Sequence, residues 1–434
     1  MKTFKLGGIH PAPSKITAGM PIEPLPLPRR AVLPLAQHIG APAAPCVSVG
    51  DHVGRGQLIA TAAGAVSAPL HASISGTVKA IGEVDGPAGY PMAAIIIEAS
   101  EADHEADTVA RDRRLAAEPQ VVAADRTPDG IRDRVASAGI VGMGGATFPT
   151  VVKMGGKTPP EVLIINACEC EPYLTCDDAL CREYAPQIIA GVGLMLTACR
   201  GRRAVIALED NKPEAAAALR AALGAESRIE VVQLKTKYPQ GGEKQLVEAV
   251  TGRRIPSGCL PADVGAAVQN VATAYAVYAA VECGMPLIER VVTVTGSVAG
   301  RGNFLVALGT PLAELLRGLP DDCEVVLGGP MMGRAAINLD APVTKGTSGV
   351  LVMPPAPAPE VEPCVRCGSC VDACPMGLEP YLLSTYGRMR MWDEAAAARV
   401  ADCIECGCCS YSCISSRPLL DYIRVAKSAL RRRK

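Results

Sequence analysis

Residues 364–375 read CVRCGSCVDACP and residues 403–413 read CIECGCCSYSC. Both stretches space four cysteines as C-x2-C-x2-C-x3-C: Cys364, Cys367, Cys370 and Cys374, then Cys403, Cys406, Cys409 and Cys413. Three thiolates at this interval can wrap the corners of one cubane, while the fourth lies a helical turn further on and points at a second cluster. The ligand sets are therefore expected to cross. Cys364, Cys367, Cys370 and Cys413 would hold one [4Fe–4S] cluster, and Cys403, Cys406, Cys409 and Cys374 the other. Zinc or reactive thiols are the competing readings, and two successive runs at one spacing favour iron–sulfur ligation over both. Cys408 falls off the spacing and reads as a free buried thiol.

Upstream of this helical dicluster segment (354–434), the run PPAPAPEVEP from Pro354 excludes helix and central strand and predicts a semi-rigid linker. Residues 287–353 alternate short β runs such as VVTVTGSV and EVVLGGP around one helix, PLAELLRGL, which predicts a compact α+β unit. Between 116 and 286, strands EVLIINA, RAVIALE and IEVVQL alternate with helical PEAAAALRAAL and EKQLVEAV. That order predicts a layered α/β domain with a largely parallel sheet. Residues 46–97 carry short alternating runs with glycine turns, a small all-β unit that resembles the lipoyl or biotinyl-carrier barrel in HASISGTVKAI but lacks the carrier lysine. The Pro- and Gly-rich start through Pro45 predicts an extended wrap, grouped with the barrel in 1–115. The polar segment EASEADHEADTVARDRRLAAEPQ reads as a bridge to the next domain.

Composition narrows the function. Lys plus Arg number 43 against 44 Asp plus Glu, so no charge excess favours nucleic acid as a partner. No secretory signal opens the chain and no apolar run is long enough to span a bilayer, so a cytoplasmic location is expected. Eighteen cysteines in such a chain argue for metal ligation rather than disulfides, because cytosolic thiols stay reduced. The nine cysteines upstream of the two runs read mostly as small core residues, and Cys168 with Cys170 make an incomplete metal site.

In GIVGMGGATFPTVVKMGGK, Gly142, Gly144 and Gly145 crowd a loop whose backbone N–H groups could approach a phosphate. Tight packing alone is the competing reading. The strand EVLIINA then runs into NACECEPYLTCD, placing Asn166, Glu169, Glu171 and Tyr173 at a strand's carboxyl end, where α/β folds bind ligands. KYPQGGEKQL supplies a second Gly-Gly turn, with Glu243 at a helix start.

Together GMGGATFPT, NACECEP, YPQGGEKQL and VQNVATAYAV resemble the flavin-bearing, NADH-oxidising subunit of respiratory complex I. With KLGGIHP at the start, the carrier-like barrel, a small SLBB-like β-grasp unit and the tandem ferredoxin cysteines, the whole chain is similar to the RnfC family of the Rnf complex, the ion-pumping ferredoxin:NAD+ oxidoreductase. That resemblance implies FMN against Gly142, Gly144 and Gly145, with Lys153 offering charge to phosphate and Asn166 and Asn270 contacting flavin. It also implies that Phe148, Glu171, Tyr238 and Glu243 receive NAD(H). Met143, Cys168 and Gly242 depart from the complex I pattern, which has an arginine, an acidic residue and a glutamate there. The implied function is electron exchange between NAD(H), FMN and two [4Fe–4S] clusters. Partners would be a ferredoxin-type iron–sulfur subunit and integral membrane subunits, met at the cytoplasmic face of the inner membrane by a chain with no transmembrane helix. A cobalamin-reducing flavo-iron–sulfur enzyme and an electron-wiring subunit without flavin are the alternatives.

Overall fold

The computed structural model describes residues 1–434 except 157, 225, 358 and 434. At its centre lies a four-stranded, all-parallel sheet ordered Ile229–Leu234, Arg203–Glu209, Val162–Asn166 and Ala266–Asn270. Val162–Asn166 reads VLIIN and its first four residues are buried, as a strand covered on both faces requires. One face packs on the helices Ala185–Ala198 and Val271–Cys283 through Leu163, Ile165, Val192 and Val277. The other packs on Glu243–Thr251 through Ile164, Val205, Leu246 and Val250. In-register pairing sets Asn270 beside Asn166, so both asparagines stand at one carboxyl edge of the sheet.

The carrier-like unit is built from a four-stranded sheet (Arg30–Pro34, Pro91–Glu98, Gly76–Asp85, His52–Val53) facing a three-stranded one. It therefore begins at Arg30, inside the segment expected to be wrap alone, because Arg30–Pro34 pairs along Ala94–Glu98. The wrap also lends Ile22–Pro24 to the edge of the six-stranded sheet of the α+β unit, beside Gly302–Ala307.

The polar bridge is a helix, Glu101–Ala116, rather than an irregular link. Ser100 and Asp103 form a reciprocal capping box at its start, and acidic residues in the first turn with Arg113 and Arg114 in the last suit the dipole. Its two buried polar residues are satisfied: Asp107 accepts from Ser75, and Arg111 donates to the Leu25 carbonyl. Polarity hid a helix whose anchors are charged.

Lys345 ties three units together. Its buried ammonium donates to the Pro69 carbonyl of the barrel at 2.9 Å and the Gly139 carbonyl of the α/β domain at 2.7 Å. The C-terminal segment packs the helices Pro380–Met389 and Leu419–Arg432 over a core of Leu383, Leu419, Ile423 and Ala426. Among the described residues no helix is long and apolar enough to cross a membrane.

Candidate functional site

Two strand ends and three loops assemble the site. Asn270 caps the helix Val271–Cys283 by accepting from Ala272 N at 2.8 Å, and its Nδ2 donates to Asp177 Oδ2 at 2.8 Å. Asn166 accepts from Cys168 N through Oδ1 and donates from Nδ2 to the Gly241 carbonyl at 2.9 Å. Each asparagine thus fixes a neighbouring loop, which is a buried amide's usual way of satisfying itself.

The glycine loop closes on itself through Gly142 N to Phe148 O and Thr147 N to Gly142 O, and it hangs from Thr273, whose Oγ1 accepts from Met143 N at 2.9 Å. Gly144 and Gly145 are exposed. A Cβ at Gly144 would stand 3.3 Å from the Asn270 Cβ, while Gly145, at φ +101°, faces open space. The loop thus presents bare backbone beside Asn270, a cradle that suits a phosphate-bearing flavin. At its flank Lys153 Nζ lies 2.8 Å from Glu243 Oε1, bringing together residues of two separate motifs. Phe148 sits half-buried at the loop's base.

The NACECEP turn is acidic but pinned. Glu169 turns inward and accepts from Asp177 N and Asp178 N, capping the helix Cys176–Glu183 where the dipole favours a carboxylate. Lys15, from the wrap, donates to the carbonyls of Glu169, Glu171 and Leu174 at 2.6–2.8 Å and so fixes the loop's shape. Burial, then the Glu169 charge, pushes the Asp177 carboxyl up to about 7. Burial also raises Glu171, whose carboxylate accepts from Met331 N at 3.2 Å.

The cysteines separate into an inner and an outer group. Cys374, Cys403, Cys406 and Cys409 line one pocket, with Cys408 on the same wall. That donor set and enclosure suit a cubane. Cys370, with Cys413 packed in the same cluster, is raised by burial first and then by the Cys413 and Cys364 thiols. Cys364 and Cys367 are exposed. The inner group abuts the α/β domain: Tyr238 Oη donates to the Cys406 carbonyl at 2.8 Å and stands 3.4 Å from Glu171 Oε1, while Gln245 Nε2 donates to the Pro375 carbonyl. Cys170 and Met331 pack into the same cluster as Tyr238, Cys406 and Cys408.

Tyr238 is only 2% exposed, and its phenol faces the cysteine segment. Lys15, Asp177 and Thr273 were not singled out from sequence. Asp177 borders the acidic turn in the chain, but nothing in HPAPSK marks Lys15 as its clasp.

Comparison with known proteins matches the domains in the same order. Three family models match: the RnfC barrel sandwich hybrid domain over residues 2–102, the Nuo51 FMN-binding domain over 135–279 and the 4Fe-4S dicluster domain over 358–414. Fold and site thus define a flavin- and iron–sulfur-type electron-transfer protein. The chain is 44% identical over 415 residues to the C subunit of the ion-translocating oxidoreductase complex of Rhodobacter capsulatus, covering 92% of this chain and 78% of that one. It is 42% identical to the C subunit of the proton-translocating ferredoxin:NAD(+) oxidoreductase complex of Clostridium ljungdahlii, covering 91% and 86%. To the C subunit of the Na(+)-translocating ferredoxin:NAD(+) oxidoreductase complex of Acetobacterium woodii it is 40% identical, covering 98% and 96%. The chain belongs to this family, the C subunits of ion-translocating oxidoreductase complexes. Among solved structures, an NAD+-reducing [NiFe]-hydrogenase in the air-oxidised state aligns at TM-score 0.51 and 20% identity, covering 77% of each chain, a likeness of fold.

Proposed function

We propose that this chain is the peripheral electron-transfer subunit of a membrane-bound ferredoxin:NAD+ oxidoreductase complex that couples this exchange to ion translocation. It would sit at the cytoplasmic face of the inner membrane, in contact with integral membrane subunits and a ferredoxin-type partner. When bound, FMN supplies the conversion between a hydride pair and single electrons, and two [4Fe–4S] clusters carry the single electrons. The protein's own residues bind and orient. Gly142, Gly144 and Gly145 would cradle the flavin phosphate, Lys153 would face it with positive charge, and Asn166 and Asn270 would hold the flavin over the sheet edge. Glu169 shapes the turn beneath, and Phe148, Glu171 and Glu243 rim the nucleotide's approach.

Cys374, Cys403, Cys406 and Cys409 would ligate the inner cluster, and Cys364, Cys367, Cys370 and Cys413 the outer one. The observation that carries this reading is the contact between the two machineries: the Tyr238 phenol touches both Glu171 and the Cys406 carbonyl. The inner cluster then serves the flavin side, and the exposed outer one serves a partner.

The test is anaerobic reconstitution with iron, sulfide and FMN, followed by visible and EPR spectra during an NADH titration. Bleached flavin with reduced-cluster signals is expected. Clusters that assemble while neither FMN nor NADH binds would leave a wiring role instead.

A further inference from the structure

The KLGGIHP segment plays no part in the scheme above, yet it lies between its two halves. Gly8 N donates to the Ala373 carbonyl at 3.0 Å, one residue before Cys374. Ile9 exchanges both backbone hydrogen bonds with Tyr238, each at 2.9 Å. Two consecutive residues therefore join the first cysteine run, beside Cys374, to the residue that meets Glu171. Both glycines are required by space as well as by conformation. Gly7, at φ +60°, stands so close to the chain that a Cβ would overlap the Cys374 carbonyl and come within 2.8 Å of Pro375 N. Gly8, at φ +85°, would place a Cβ 2.6 Å from Lys237 Cε and 2.8 Å from the Tyr238 carbonyl. Phe4, 1% exposed, anchors the start of the segment beneath the Lys237 ammonium, 4.1 Å from its ring centre. Lys15 anchors the far end on the acidic turn.

We infer that the segment from Phe4 to Lys15 is a strap that sets the backbone of Cys374 relative to the flavin-side loops, with Gly7 as a positioning residue for the inner cluster. Cys374 is the one inner thiol supplied by the first cysteine run, so the strap meets the inner ligand set on a different segment from the one that carries Cys403, Cys406 and Cys409. A side chain at Gly7 pushes that backbone away and opens the inner ligand set. The inference rests on the ligand role proposed for Cys374.

The experiment uses the full chain, reconstituted anaerobically with iron and sulfide, as wild type, Gly7→Ala, Gly19→Ala and Cys374→Ser. Gly19 is the control, because it also has positive φ, +76°, but a Cβ there meets nothing within 4 Å. Gly7→Ala is expected to lose iron toward half of the wild-type content and to lose or displace one of two reduced-cluster EPR signals, with FMN affinity unchanged. Gly19→Ala keeps both. Full iron with unaltered signals in Gly7→Ala, or equal loss in Gly19→Ala, overturns the strap. Cys374→Ser separates the two layers: if it keeps both clusters, the ligand reading fails and the inference with it. Should Gly7→Ala not fold, hydrogen exchange on wild type decides. The Gly8 amide is expected to gain protection when clusters are built, and equal protection in iron-free and reconstituted protein overturns the strap.

Discussion

The phenol of Tyr238 donates a 2.8 Å hydrogen bond to the backbone carbonyl of Cys406. A residue that the family resemblance ties to the nucleotide thus touches the backbone of a thiol that lines the inner cavity. Removing the hydroxyl takes a positive dipole end from the cluster's surroundings, which disfavours the more negative, reduced state. A net hydrogen bond is worth about 1 kcal/mol, which for one electron corresponds to about 40 mV. In Tyr238→Phe the inner cluster's midpoint potential is expected to fall on the order of 40 mV, measured by potentiometric EPR, while the outer one holds.

Crossed ligation has a signature in double variants. Each [4Fe–4S] cluster contributes about four irons. Cys374→Ser and Cys406→Ser should each lose about four irons, and the pair together no more, because they remove the same cluster. Cys374→Ser with Cys370→Ser should lose about eight. Iron analysis that gave the reverse pattern would mean that each run holds its own cluster.

Lys153 and Glu243 form a half-exposed pair, with side chains 34% and 42% accessible. Such pairs contribute at most about 1 kcal/mol to stability, so Lys153→Met should leave the melting temperature nearly unchanged. Its effect should fall on the phosphate: FMN affinity drops about tenfold, on the scale of about 1.4 kcal/mol, whereas riboflavin affinity does not change. Fluorescence quenching of the two flavins makes the comparison.

Asp177 is raised to about 7, by burial first and the Glu169 charge second. A carboxyl whose folded pKa exceeds its unfolded value of about 3.9 stabilises the fold fully below that value, and the contribution is lost as pH rises to the folded pKa. The wild-type chain is expected to lose stability between about pH 4 and 7 through this group. Asp177→Asn cannot ionise, so the variant's melting temperature should rise relative to wild type as pH increases across that window. A pH-independent difference would assign the ionisation elsewhere.

The sequence is most legible where chemistry sets spacing. Cysteine intervals, glycine loops and strand ends such as Asn166 are local signals, and the structure sets Asn166 beside Asn270 at one edge of the sheet. Contacts between distant segments leave no such local mark. Lys15 reaches 154 residues along the chain to the Glu169 carbonyl, and no periodicity records that. Helix 101–116 was hidden because it is anchored by Asp107 and Arg111 rather than by an apolar stripe. Tyr238 kept its motif, but its burial against Cys406 depends on the docking of a segment 168 residues away.

The central claim is an order: flavin side, inner cluster, outer cluster, partner. Rapid mixing of NADH with FMN-loaded Cys374→Ser, frozen for EPR at successive times, tests it most directly, because the variant keeps only the outer cluster. The account predicts that NADH bleaches the flavin at the wild-type rate while the outer cluster stays oxidised on the wild-type timescale. Reduction of the outer cluster as fast as in wild type would contradict it.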